Sequence, residues 1–194
     1  MTLAQIRDPK ESVPSMSMKH EPPQQTPTTP QKDQVRANPN ERNVPSLPQH
    51  LIGMSLYEVA ERGDIDGVKA LLNTKVNIDA DGEVYEIGNP LQVASYRGHE
   101  AVVRLLLEKG AAVNARGGYW DNALQAALSG GYEAIVQLLL ENGADVNSQG
   151  GEWGNALQAA SYEGYVTLVQ LLLEKGAEVN AQGGYCGSAL LAAS

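Results

Sequence analysis

Apolar and polar positions follow one pattern three times over in the C-terminal half of this chain. NPLQVASYRGHEAVVRLLLEKGAAVNARGGYWD from Asn89 returns as NALQAALSGGYEAIVQLLLENGADVNSQGGEWG from Asn122 and as NALQAASYEGYVTLVQLLLEKGAEVNAQGGYCG from Asn155, each shifted by 33 residues. Self-similarity at a fixed period marks a repeat array, so a function is to be sought on a repeated surface rather than at one residue.

Within each unit the pattern resolves into two short helices and a turn. Asn89, Asn122 and Asn155 stand where a helix N-cap is needed, and Pro90 follows at the first helical position, where its missing N–H costs nothing. The first helix has small apolar residues on the side that meets the next unit: Leu91, Val93 and Ala94, then Leu124, Ala126 and Ala127. Gly98, Gly131 and Gly164 close it in the left-handed conformation. The second helix, AVVRLLLEKG, AIVQLLLENG or TLVQLLLEKG, is apolar over more than half its circumference and must pack on several sides. Gly110, Gly143 and Gly176 end it. A Gly-Gly pair then predicts a tight reversal with positive φ, read as a β-hairpin-like finger. Helices shorter than ~12–15 residues seldom persist alone, so stacking must supply the stability. The triplets Leu105 to Leu107, Leu138 to Leu140 and Leu171 to Leu173 are expected to form one continuous core.

The same spacing, worn, precedes the array. Leu56, Val59, Ala60, Gly63, Val68, Leu71 and Leu72 match the later units, but Ala70 stands for Leu105 and the connecting loop is about two residues longer. Residues 51–88 are therefore expected to form a degenerate capping repeat before the full repeats 89–121, 122–154 and 155–187. Residues 188–194, SALLAAS, begin a fifth unit whose apolar face nothing covers. The expectation is a truncated product, a fragment or part of a longer array that frays or self-associates at that end, and a monomer if the end is capped.

Composition separates a leader from this array. Nine of the ten prolines lie in residues 1–50, which lack apolar periodicity and are expected to be a disordered leader. The leader carries six Lys/Arg against five Asp/Glu and the rest eight against eighteen, which together give the net charge of −9. An acidic array repels phosphate backbones, so nucleic acid is disfavoured and a protein partner preferred, one with a basic surface being what the charge would attract. One cysteine, Cys186, excludes an intramolecular disulfide. No apolar run approaches the ~20 residues of a membrane span and no secretory leader is recognisable, so a soluble chain in the cytoplasm, or the nucleus, is expected and no membrane partner.

No catalytic constellation is legible, and no cofactor or metal site is expected. His99 is the array's one histidine and sits where Tyr132 and Tyr165 stand in later units, which indicates packing or hydrogen bonding. Asn147 and Asn180, in Val-Asn pairs, are expected to close their own loops.

A capped helix, a glycine turn, a Leu-rich helix, Gly143-Ala144-Asp145-Val146-Asn147 and a hairpin, at 33 residues, resemble the ankyrin repeat from Leu51 to the C-terminus. The resemblance implies an all-α ankyrin-repeat solenoid with hairpin fingers. The chain departs from the family's Thr-Pro-Leu-His opening, having Asn-Pro-Leu-Gln at 89–92 and Asn-Ala-Leu-Gln at 122–125 and 155–158. Asparagine can serve as the cap, and a glutamine amide can bridge backbone groups as histidine does. The NALQAAS and NAQGG wording is similar to arrays of filamentous fungi, often attached to nucleotide-binding signalling domains.

The resemblance also implies a non-enzymatic module that binds a protein partner on the concave surface of fingers and first helices. The positions expected there are Tyr96, Arg97, Tyr119, Trp120, Asp121, Ser129, Glu152, Trp153, Tyr162, Glu163 and Tyr185. Tyrosine and tryptophan outside a leucine core are enriched at interface hot spots. Against this stands the reading that Trp120 and Trp153 only space successive fingers, with Tyr96 and Tyr162 exposed. Two other functions are weighed: a detached sensing arm of a signalling NTPase or other enzyme whose catalytic domain lies elsewhere, and a purely structural spacer.

Overall fold

A computed structural model of the chain describes residues 47–80, 88–184 and 187–193. The leader up to residue 46, Tyr185 and Cys186 lie outside the described residues. A short 3-10 turn, Gln49–Leu51, precedes the helices α1 (Leu56–Glu61), α2 (Ile65–Leu72), α3 (Pro90–Arg97), α4 (Glu100–Glu108), α5 (Ala123–Gly130), α6 (Glu133–Glu141), α7 (Ala156–Tyr162), α8 (Val166–Glu174) and α9 (Ala189–Ala192). The odd-numbered helices pack in succession, α1 on α3, α3 on α5, α5 on α7 and α7 on α9, and α2, α4 and α6 form a second layer behind them. The all-helical stack follows from the period read in the sequence.

Local chemistry sets the helix ends as their residue types predict. The Asn89, Asn122 and Asn155 side chains accept from the Gln92, Gln125 and Gln158 amides at 3.0, 2.9 and 2.9 Å. Gly98 and Gly131 close α3 and α5 at φ +79° and +72°, while α7 stops one residue earlier, at Glu163, with Gly164 turning the chain at φ +72°.

Rings from the following unit lie across these glycines. A Cβ placed on Gly98 would come within 2.4 Å of the Tyr132 ring, and one on Gly131 within 2.8 Å of the Tyr165 hydroxyl. His99 occupies the same place over Gly63, and its Nε2 lies 2.9 Å from the Glu61 carbonyl. Packing and a hydrogen bond thus account for the histidine.

The core differs from the expected continuous run of leucine triplets. Only the central members, Leu106, Leu139 and Leu172, are fully buried, together with Val103, Val136 and the small residues Ala94, Ala127 and Ala160. The flanking leucines are half-covered, apart from buried Leu138, and Leu173 is 42 % exposed. A helix with neighbours in two directions cannot hide three consecutive side chains, because they span most of its circumference.

The fingers are hairpin-like, as expected, and short. Each is a loop closed by one antiparallel bridge, Gly117 to Asp121, Gly150 to Gly154 and Gly183 to Gly187, and the described residues contain no extended strand. The Gly-Gly pairs take the predicted positive φ, +137° and +65° at Gly117 and Gly118. A five-residue loop leaves no room for a second pair of ladder bonds.

Units are tied together by asparagines, and not in the way their sequence position suggests. Asn114 donates to the Gly143 carbonyl at 2.9 Å and accepts from the Asp145 amide at 2.9 Å; Asn147 does the same to Gly176 and Glu178 at 3.1 and 2.8 Å. Asn147 therefore staples its unit to the next one instead of closing its own loop. In the worn first unit Asp79 stands at this register, and its carboxylate accepts from Ala112 N at 2.9 Å but has no proton to give. Replacing Asn147 with alanine leaves one carbonyl and one amide without these partners. It should lower stability by about 1–2 kcal/mol and increase hydrogen exchange around Gly176 to Glu178, measured by mass spectrometry. Unchanged exchange there would refute the staple.

Candidate functional site

The finger and first-helix face carries two ring stacks. Trp120 lies on Tyr96 with centroids 4.2 Å apart and planes 28° apart, and Trp153 lies on Tyr162 at 4.1 Å and 29°. The tryptophans thus do not stack on each other as a ladder of fingers; each pairs with a first-helix tyrosine. The two stacks run in opposite senses. Tyr96 is in the helix before the Trp120 finger, whereas Tyr162 is in the helix after the Trp153 finger. The cause is at Ser129, the register position 33 residues from both tyrosines, where no ring is available to Trp153.

Tyr119 meets the Trp120 ring edge-on at 5.7 Å, and its hydroxyl donates to the Glu152 carboxylate of the next finger. That hydrogen bond raises the Tyr119 phenol above its ordinary pKa, since losing the proton would set two anions side by side. Tyr119 and Tyr162 remain open, 57 % and 52 % exposed, while Tyr96, Trp120 and Trp153 are half-buried.

The cations of this face are engaged. The Arg97 guanidinium pairs with Glu61 at 2.6 Å and lies over the Tyr96 ring, 5.7 Å from its centroid. The Glu61 hydrogen bond raises its pKa further and holds its charge. Arg116 pairs with Asp121 at 3.1 Å and donates to the Gln149 carbonyl of the next finger. Glu152 and Glu163 are exposed acids.

Asp121, one of the expected partner-binding residues, has a structural task. It closes its finger at φ +69°, where the other units have Gly88, Gly154 and Gly187, all with positive φ. A Cβ on Gly88 or Gly154 would fall 1.6 or 2.2 Å from Gln92 Oε1 or Gln158 Oε1. Asp121 does carry a Cβ, which keeps Gln125 out of the place its counterparts occupy. Gln92 donates to the Ala115 and Asp121 carbonyls and accepts from Asn89 N, and Gln158 donates to Ala181. Both amide atoms of Gln125 are buried without a partner.

Asp121→Gly should therefore stabilise the array. It removes a non-glycine from the left-handed region and lets Gln125 pair, against loss of a partly exposed ion pair worth about 0–1 kcal/mol. The expected gain is about 1–2 kcal/mol, read as a higher melting temperature. A lower one would refute the displacement of Gln125.

No group of histidine, cysteine or acidic side chains among the described residues could hold a metal ion. None of the described helices is long and apolar enough to cross a membrane. Of the expected site residues, Tyr96 and Trp120 meet in one stack and Trp153 and Tyr162 in the other; Tyr119 joins Glu152, and Arg97 turns back to Glu61. The absence of a ring at Ser129, which leaves Trp153 to stack on Tyr162, is a feature the repeat register displayed without its consequence being legible there.

A family model described as ankyrin repeats in three copies matches residues 56–150 and 117–183 of the chain. No curated protein matches it.

Proposed function

The chain belongs to the ankyrin-repeat family, whose members are generally protein-interaction modules, and on that premise we propose that this one binds a partner protein on its finger and first-helix face and carries no catalysis of its own. The observation that supports this reading most is the pair of half-open ring stacks, with Tyr162 in one and Tyr119 edge-on to the other both more than half exposed. Exposed aromatic rings outside a core are the residue types enriched where interfaces derive their energy. Acidic side chains, Glu152 and Glu163, lie beside them, and the array as a whole is acidic, so a partner with a basic surface fits this face better than nucleic acid does.

The test uses the full chain as bait. Tyr119→Ala and Tyr162→Ala should each weaken a captured partner about tenfold or more, because truncated interface tyrosines commonly cost 1–2 kcal/mol or above. The melting temperature should stay within a few degrees of the parent for both variants, since both rings are more than half exposed and a surface ring contact is worth about 0.5–1.5 kcal/mol. Partner capture unaffected by either substitution would exclude this face, and no capture at all would favour a structural spacer.

A further inference from the structure

The sequence contains a single Asn-Gly pair, Asn142-Gly143, and it closes α6 in the central unit. In the units on either side the same register position holds lysine, Lys109 before Gly110 and Lys175 before Gly176. The three glycines turn the chain alike, at φ +90°, +87° and +89°, so the units differ here in the preceding side chain and not in the backbone.

Asparagine before glycine is chemically labile, because glycine has no Cβ to shield its backbone nitrogen. The Gly143 nitrogen can form a bond to Asn142 Cγ and give up its proton. The Cγ–Nδ2 bond breaks, and the side-chain nitrogen leaves as ammonia. Water then opens the succinimide ring at either carbonyl and generates a carboxylate. The chain is left running through Cα, as aspartate, or through Cβ, as isoaspartate with an additional backbone carbon.

The fold holds this reaction back. Asn142 has ψ +13°, which puts the Gly143 nitrogen on the side of Asn142's own backbone nitrogen and away from its Cβ. The Gly143 N–H donates to the Leu140 carbonyl at 3.2 Å, and the Asn142 side-chain amide donates to the Leu138 carbonyl at 2.8 Å. Ring closure has to rotate ψ and break both bonds. Glu141, Asn142 and Gly143 are nevertheless all exposed, and helix ends fray, so the obstacle is a local opening and not unfolding of the array.

The residues that follow give the product a consequence. The Gly143 carbonyl and the Asp145 amide are the two groups gripped by Asn114 of the preceding unit, both at 2.9 Å. The Ala144 N–H closes the helix end on the Leu139 carbonyl at 3.0 Å. An additional backbone carbon at residue 142 displaces Gly143, Ala144 and Asp145 together from these partners. The new carboxylate has no proton to donate to Leu138 and stands beside Glu141 at the negative end of the helix.

We propose that Asn142-Gly143 is a deamidation site gated by opening of the α6 end, and that isoaspartate formed there releases the Asn114 staple between units 89–121 and 122–154. The staple made by Asn147 on Gly176 and Glu178 follows Lys175 and is beyond the reach of this chemistry.

The test follows the full chain in mildly alkaline buffer, where the attacking nitrogen is more readily deprotonated, with and without denaturing guanidinium. Proteolytic peptides are read by mass spectrometry, and isoaspartate is told from aspartate by enzymatic methylation of the isoaspartyl carboxylate. In guanidinium Asn142 should be the first asparagine to react, and in the folded chain its rate should fall about tenfold or more. The isoaspartyl form, isolated by chromatography, should exchange the Asp145 amide hydrogen about tenfold faster than the parent by nuclear magnetic resonance, with Glu178 within about twofold. Asn142→Asp, which supplies the carboxylate without the added carbon, should leave Asp145 protected. Asn142→Lys, incubated in the same way, should keep parental exchange throughout.

No reaction at Asn142 in guanidinium, or earlier reaction at another asparagine, overturns the site. A rate in the folded chain equal to that in guanidinium overturns the gate. Parental exchange at Asp145 in the isoaspartyl form, or equal loosening in Asn142→Asp, overturns the release of the staple.

Discussion

Leu139→Ala should remove about 2–5 kcal/mol of stability and break the cooperative unfolding of the array into two parts. Leu139 is fully buried in α6 and is the central member of its triplet, between Leu106 one unit before and Leu172 one unit after. In a stack where each unit touches only its neighbours, stability is close to a sum of unit and interface terms. A cavity in the middle unit weakens its own term and both adjoining interfaces. Urea unfolding followed by circular dichroism and by tryptophan fluorescence should then give two midpoints, where the parent gives one. Leu173→Ala, at the outer edge of α8, should cost only about 1 kcal/mol, because much of that side chain is already in water. Equal losses at the two positions would show that the triplets are buried alike, contrary to the packing described.

Gly98→Ala should cost about 2–4 kcal/mol through two separable effects. Alanine at φ +79° pays the left-handed strain, roughly 1–2 kcal/mol, and its methyl group would sit 2.4 Å from the Tyr132 ring. Removing the ring tests the division. Tyr132→Ala alone should be mildly destabilising, and in the double variant the Gly98 substitution should cost only its backbone part, leaving a coupling of about 1 kcal/mol or more in a double-mutant cycle. Additive losses would mean that the ring moves aside freely and does not lock one unit to the next. The same geometry over Gly131 and Gly63 predicts that these glycines matter twice, once for their own turn and once for the neighbour's ring.

Legibility of the fold varied with the range over which each residue acts. Asn89, Asn122, Asn155, Gly98 and Gly131 act within four residues of themselves, so their identity was enough to fix the helix ends. Asn147 acts on the following unit, 29 and 31 residues away, and the same residue type that commonly closes a local turn could not announce that reach. Gln125 is the clearest instance of the difference. Its sequence context is the same Asn-Ala-Leu-Gln as that of Gln158, yet Asp121, a residue of the preceding finger, decides that its amide goes unpaired.

The candidate site divides along the same line. That tyrosines and tryptophans recur outside the leucine core was plain from the period. That Trp120 turns back to Tyr96 while Trp153 turns forward to Tyr162 depends on the ring missing at Ser129, and it becomes visible only when the units are placed side by side. The sequence by itself determined the repeat, its helices and their caps, because these follow from periodicity and from residue types acting on nearby backbone. Only the tertiary structure decided which leucine of each triplet is buried, which asparagine bridges units and where the aromatic face opens, because each of these depends on contacts across the 33-residue step between neighbouring units.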